Sequence, residues 1–203
     1  MIAYFPAEGP PPPRGGLPLL LAIAIGCAVP LTIAYKTGPP PGHTGGFGEP
    51  TCRACHADDE PNPAGGSIDV IGFPDAYTPG NAYDVRIRLR GKDLGRGGFQ
   101  MAIRFTENPH AGTNAGELTA LDARASVTTA EKSGVQYAQH LLAGITPLWT
   151  DSTEWTVHWT APAVAGSGPV VLHVAANASN YDDSEYGDRI YNTSLESREA
   201  AKD

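Results

Sequence analysis

The sequence predicts an all-β fold, an immunoglobulin-like antiparallel β-sandwich, preceded by a single N-terminal transmembrane helix. Three observations predict it. Several short segments alternate apolar and polar residues with period two, the mark of half-buried strands. The 203 residues include 24 glycines and 19 prolines, too many for a helical bundle and suited to strands joined by tight turns. One run, Leu17 to Tyr35 (LPLLLAIAIGCAVPLTIAY), holds 19 residues without a charge between Arg14 and Lys36. That is just long enough to cross the hydrocarbon core of a bilayer as a helix.

The chain divides accordingly. Residues 1–16 are a Pro/Gly-rich tail in which Pro10 to Pro13 forbid a helix. Residues 17–36 are an anchor or signal segment. Pro18 falls in the first turn, and Pro30 would kink a membrane helix without breaking it. A retained anchor, a signal peptide cleaved near Ala34, and a lipoprotein signal at Ala24-Ile25-Gly26-Cys27 all fit, and all export the rest of the chain. Residues 37–48 (with GPPPGHTGGFG from Gly38) are a linker by composition. Residues 49–203 are the exported domain.

The strands come in order. Ala82–Arg90 (AYDVRIRLR) sets Tyr83, Val85, Ile87 and Leu89 against Asp84, Arg86, Arg88 and Arg90. Phe99, Met101, Ile103 and Phe105 alternate with Gln100, Ala102 and Arg104, and Trp155, Val157 and Trp159 with Thr156 and His158. Val170–Ala176 (VVLHVAA) is apolar on both faces and reads as a central strand. Ser67–Gly72 and Arg189–Ser194 are weaker strands, and Ala115–Ala125 is a helical turn or an irregular strand. His140 ends a further plausible strand. Hydrophobic residues at 41% supply a core. The net charge of −8 excludes a basic nucleic-acid face.

The chemistry concentrates in Cys52-Arg53-Ala54-Cys55-His56, a C-x-x-C-H motif, the attachment signature of c-type haem. Two thiols two residues apart reach the two vinyl groups of one haem, and His56 falls beneath the iron. The pair also suits a short-loop disulfide, a zinc site lacking a fourth ligand, or a redox pair lacking the βαβ context of thioredoxin. A second axial ligand has candidates in His43, Met101, His110, His140, His158 and His173, and no spacing rule chooses among them. Met101 shares a face with Phe99 and Ile103 and also reads as core filler. His158 and His173 read as solvated strand residues. Asp182, Asp183, Glu185 and Asp188 form an acidic run without EF-hand spacing, best read as a solvated loop. No catalytic triad order, phosphate loop or acid/base pair is present, so an enzyme is not expected.

The chain resembles the bacterial exported domains called choice-of-anchor V, which are similar to reeler domains. The residues that carry the resemblance are Thr44–His56 (TGGFGEPTCRACH), Tyr77-Thr78-Pro79-Gly80 with Tyr83, Gly98-Phe99-Gln100, and Tyr137 with His140. Trp155–Pro162 (WTVHWTAP), Ala175-Ala176-Asn177 and Gly187-Asp188-Arg189-Ile190-Tyr191 complete them. The resemblance spans about residues 44–194. It implies a β-sandwich with the C-x-x-C-H loop at its N-terminal edge, and it favours His140 as the distal ligand. Many relatives carry a C-terminal anchor, whereas here the apolar segment is N-terminal and the end (SREAAKD) is polar.

Two functions are expected. The first is a membrane-anchored monohaem c-type cytochrome on the outer face of a bacterial cytoplasmic membrane. Cys52 and Cys55 hold one covalent haem c, His56 ligates iron, and His140 or Met101 completes the shell. Its partner is a membrane-bound redox complex or a soluble electron carrier, and the N-terminal helix holds it in the lipid bilayer. The alternative is a non-redox structural or docking sandwich of a membrane complex, or a cell-surface adhesion module, with a Cys52–Cys55 disulfide.

Overall fold

A computed structural model describes residues 35–56 and 60–201, together with Met1 and Gly9. The chain divides into Met1–Thr32 and Ile33–Asp203. The anchor segment, Cys27 and Ala34 lie outside the described residues. Among the described residues no helix is long and apolar enough to cross a membrane, and helical structure is limited to two 3-10 turns, Cys52–Ala54 and Leu142–Gly144.

Among the described residues ten strands make two layers. β1 (Gly66–Ile71), β3 (Ala82–Gly91), β8 (Ser152–Thr160) and β5 (Glu117–Ala120) form one sheet in the order β1-β3-β8-β5. The other holds β2 (Ala76–Tyr77), β10 (Arg189–Glu199), β9 (Val170–Ser179), β4 (Arg96–Phe105), β7 (Gln136–His140) and β6 (Ala125–Thr129), in the order β2-β10-β9-β4-β7-β6. All pairings are antiparallel except β2 with β10. The alternating segments fold as the strands their period demands, and β9, apolar on both faces, is central. The stretch 115–125 takes the strand alternative rather than the helical turn: Glu117–Ala120 pairs with β8 as β5, and a short loop leads to Ala125, the first residue of β6.

The core lies between the sheets. The inward residues of β3 and β8 (Val85, Ile87, Leu89, Trp155, Val157, Trp159) meet those of β4 and β9 (Phe99, Met101, Ile103, Leu172, Val174, Ala176). Phe99 stacks on Trp155 with ring centroids 4.7 Å apart. Phe73, Tyr77 and Tyr83 surround Trp159 at 5.2, 5.7 and 5.6 Å. Both indoles satisfy their N–H, Trp155 to the Gly144 carbonyl at 3.0 Å and Trp159 to Ala115 at 2.9 Å. A buried indole without such a partner would carry a desolvation cost.

The outer face of the four-stranded sheet carries the arginines of β3 as a solvated ion ladder. Arg88 meets Glu154 at 2.8 Å, Arg86 meets it at 3.7 Å, and Arg90 pairs with Asp69. The exposed Arg90–Asp69 pair contributes little to stability, whereas Glu154 is largely covered by its two arginines.

Candidate functional site

Residues 37–48, expected to be a linker, are a strap laid along the outer face of the six-stranded sheet. At its start the Gln100 amide donates to the Pro40 carbonyl at 3.0 Å, and its oxygen accepts from the His43 N–H at 2.6 Å. The glycines here serve close approach rather than flexibility. A Cβ on Gly46 would stand 2.5 Å from the His173 ring, and one on Gly38 would collide with Gln139. Phe47 packs edge-on to His173 at 5.6 Å.

A buried ionic knot pins the middle of the strap. Arg104 of β4, 5% exposed, pairs with the Glu49 carboxylate and donates to the Tyr137 hydroxyl at 2.8 Å. That hydroxyl donates to the same Glu49 oxygen at 2.5 Å, and the Thr44 hydroxyl donates to the other at 2.6 Å. Burial alone would raise the Glu49 pKa. The bonds from Thr44, Tyr137 and Arg104 and the Arg104 charge outweigh it and hold the carboxyl below its ordinary value. Burial and the Glu49 bond push the Tyr137 hydroxyl up, so it stays a donor.

The C-x-x-C-H motif comes directly after the knot. Thr51 caps its 3-10 turn by accepting from the Arg53 N–H at 3.2 Å, and the Cys52 carbonyl accepts from the N–H groups of Cys55 and His56 at 3.2 and 3.1 Å. Cys55 is exposed and Cys52 half-buried, both as free thiols, and burial pushes the Cys52 thiol up to about 12. His56 Nδ1 lies 2.7 Å from Asp188, which is 1% exposed. The contact is charge-to-ring proximity rather than a well-aimed hydrogen bond. Asp188 also accepts from Asn177 at 3.0 Å and from the Asn180 N–H at 3.3 Å. Burial would raise the Asp188 pKa, but the close His56 ring and the bonds from Asn177 and Ser179 bring it below its ordinary value. Asp188, read from sequence as part of a solvated acidic run, is thus the buried seat of the motif.

The monohaem cytochrome reading is corrected by this arrangement. Met101 is fully buried between the sheets and belongs to the core. His140 accepts through Nδ1 from the Phe99 N–H at 3.0 Å, and its Nε2 faces the Tyr35 carbonyl at 3.2 Å. This is the neutral tautomer with Nε2 donating, so neither nitrogen offers a free lone pair. Burial keeps its pKa below the ordinary histidine value. The residues therefore do not fit a six-coordinate haem, and among the described residues no three His, Cys, Asp or Glu side chains gather as a metal site. Cytochrome, iron and metal-binding assignments fall with it. His173, expected to be solvated, lies under the strap. His158 meets Asp84 on the wet face at 2.7 Å.

Two expectations about this region are measurable. Thiolate, not thiol, reacts with iodoacetamide. In the reduced protein at pH 8, exposed Cys55 should label at least about tenfold faster than Cys52, read by peptide mass spectrometry. Equal rates would contradict the packing of Cys52. Stability should also fall with acid. His140 and His173 have lowered folded pKa values, so unfolding gains protons below about pH 6.5. Glu49 and Asp188, also lowered, stabilise fully above the ordinary carboxylate range, and that stabilisation is lost as pH falls through their folded values. Melting temperature should therefore drop steadily from pH 7 to pH 3. A flat profile would show that these groups are solvated.

Sequence reading missed Glu49, Arg104, Thr44 and Gln139 as a site. One signal was present: Ala102 and Ala175 occupy outward positions on strands whose other face is core, as expected where something covers the sheet. The opposite end of the sandwich carries a groove of about 460 Å³ beside Phe105, Asn114, Pro162 and Val164, in which His110 is the sole titratable lining residue. It holds no acid/base pair.

No family model matches the chain, the choice-of-anchor V resemblance included, and no curated protein matches it. Among solved structures it is similar to the Reelin-N domain of F-spondin, at 22% identity over 74% of this chain and 98% of that one, with a TM-score of 0.45. A human F-spondin reeler domain gives 21% identity over 70% and 93%, with a TM-score of 0.43. A cohesin module from a Clostridium perfringens family 33 glycoside hydrolase gives 16% identity over 68% and 97%, also at 0.43.

Proposed function

We propose that the chain is a non-redox docking module: a β-sandwich held on the outer side of a bacterial membrane, where it fixes a larger assembly or contacts a cell surface. The observation that carries this reading is the strap. The polar residues with the most chemistry to offer (Glu49, Arg104, Tyr137, His140, Asp188) are bonded to one another or to backbone, and they fix the incoming chain to the sheet. Such an arrangement mounts the sandwich at a set position on its leading segment, which suits docking rather than turnover.

The cysteines serve that mounting. A backbone bond from Cys55 N–H to Cys52 O closes a turn, and turns of this kind bring the flanking Cα atoms within about 7 Å, close to disulfide range. In an oxidising compartment a Cys52–Cys55 bond would lock the loop that Asp188 seats. Intact mass of the native protein tests this, with loss of two hydrogens relative to the reduced chain expected. Native electrophoresis of detergent-solubilised membranes tests docking, with migration in a large complex expected. A chain that migrates alone and carries a covalent chromophore would overturn the reading.

A further inference from the structure

One end of the sandwich presents an apolar surface. The β7–β8 connection carries Leu142, Leu148 and Trp149, exposed at 57%, 46% and 56%, and the β5–β6 connection adds Leu121 at 51%. These side chains do not belong to loose loops. Leu141 N–H donates to the Arg124 carbonyl at 2.9 Å. The Arg124 guanidinium donates to the carbonyls of Ala143, Gly144 and Thr146 at 3.1, 3.2 and 3.1 Å. The two connections are thus tied into one block, its polar backbone satisfied from within and its large apolar side chains turned to solvent. A grouped apolar surface on a rigid support marks a partner.

The identity of that partner follows from where the chain enters. His140, which ends β7 immediately before Leu141, holds the Tyr35 carbonyl. Tyr35 is the last residue of the uncharged run that starts at Leu17. Tyr35 itself is thus fixed beside the start of the Leu142 loop, and residues 38–49 after it are bonded to the sheet rather than forming a free linker.

We infer that this end rests on the lipid bilayer, with Trp149, Leu142, Leu148 and Leu121 seated in the interfacial layer of the outer leaflet. The inference rests on the membrane attachment proposed above. Its chemistry is apolar insertion: tryptophan favours the interface, where its ring is apolar and its N–H is wet. Electrostatics do not drive it. The chain carries a net −8, Asp122 and Asp151 flank the surface, the acidic β9–β10 loop (Asp182, Asp183, Glu185) lies at the same end, and Arg124 is occupied by backbone carbonyls, so neutral headgroups suit it better than anionic ones.

Trp149 reports on this directly, because Trp155 and Trp159 are 1% and 0% exposed in the core. The full chain is reconstituted into phosphatidylcholine vesicles with brominated acyl chains, and flotation is run on the same sample. The expected result is flotation with quenching of roughly half or more of the exposed-tryptophan emission, abolished in Trp149→Phe and strongly reduced in the Leu142→Asp/Leu148→Asp double variant. Flotation without quenching overturns the inference and leaves membrane attachment standing. A chain that does not float overturns both. Shielding of Trp149 from aqueous acrylamide without lipid quenching places protein there instead and also overturns it.

Discussion

Trp159→Ala is expected to destabilise the sandwich by about 4 kcal/mol, and thus to lower the melting temperature by roughly 8–16 °C. The residue is fully buried where Phe73, Tyr77 and Tyr83 converge from the segments around β2 and β3. Removing the indole leaves a cavity walled by large rings on strands whose spacing is set by backbone hydrogen bonds, so the site relaxes only in part. It also leaves the Ala115 carbonyl without its 2.9 Å donor. Urea unfolding should show a lower midpoint with an unchanged slope, and Leu121→Ala, at an exposed position, should change stability by no more than about 0.5 kcal/mol. Equal effects from the two variants would place Trp159 outside the core.

Glu49→Ala should cost about 3 kcal/mol by a different route. The Arg104 side chain is 6% exposed, and its partner carboxylate is what makes its burial tolerable. Without Glu49 the guanidinium keeps the Tyr137 hydroxyl, a neutral partner, and Thr44 loses its acceptor. The strap then lifts to let water reach Arg104, and limited proteolysis should cut within residues 38–48 while the sandwich stays intact. Glu49→Ala with Arg104→Met should recover part of the loss, because an apolar side chain is tolerated where an unpaired charge is not. An additive double variant would mean that the two residues do not interact.

The parts of the fold legible in the sequence are those that periodicity governs. The alternations at 82–90, 99–105 and 155–159 name inward residues that do form the core, since a one-residue register shift would turn every one of them to the wrong face. The central position of β9 was legible because it is apolar on both faces, as a strand covered on both sides must be. The strap was not. Gly38, Gly46 and the prolines around them give a backbone that lies flat on a sheet the same composition as a flexible linker, and only the surface beneath distinguishes the two. Glu49 and Arg104 are 55 positions apart, a pairing no spacing rule announces. The C-x-x-C-H pentapeptide carried its usual association, but a motif says nothing of its surroundings. Here Asp188 faces the histidine, and His140, expected to supply a ligand, holds the Tyr35 carbonyl instead.

The mounted strap is tested most directly by native-state amide hydrogen exchange of residues 38–56. The amides of His43, Gly45 and Glu49 donate to Gln100 Oε1, Pro50 O and Gly46 O at 2.6, 3.0 and 3.0 Å. They are expected to exchange at least about a hundredfold more slowly than an unstructured chain and to lose that protection in Glu49→Ala. Exchange of these amides at unstructured-chain rates, in a protein whose β4 and β9 amides remain protected, would contradict the account.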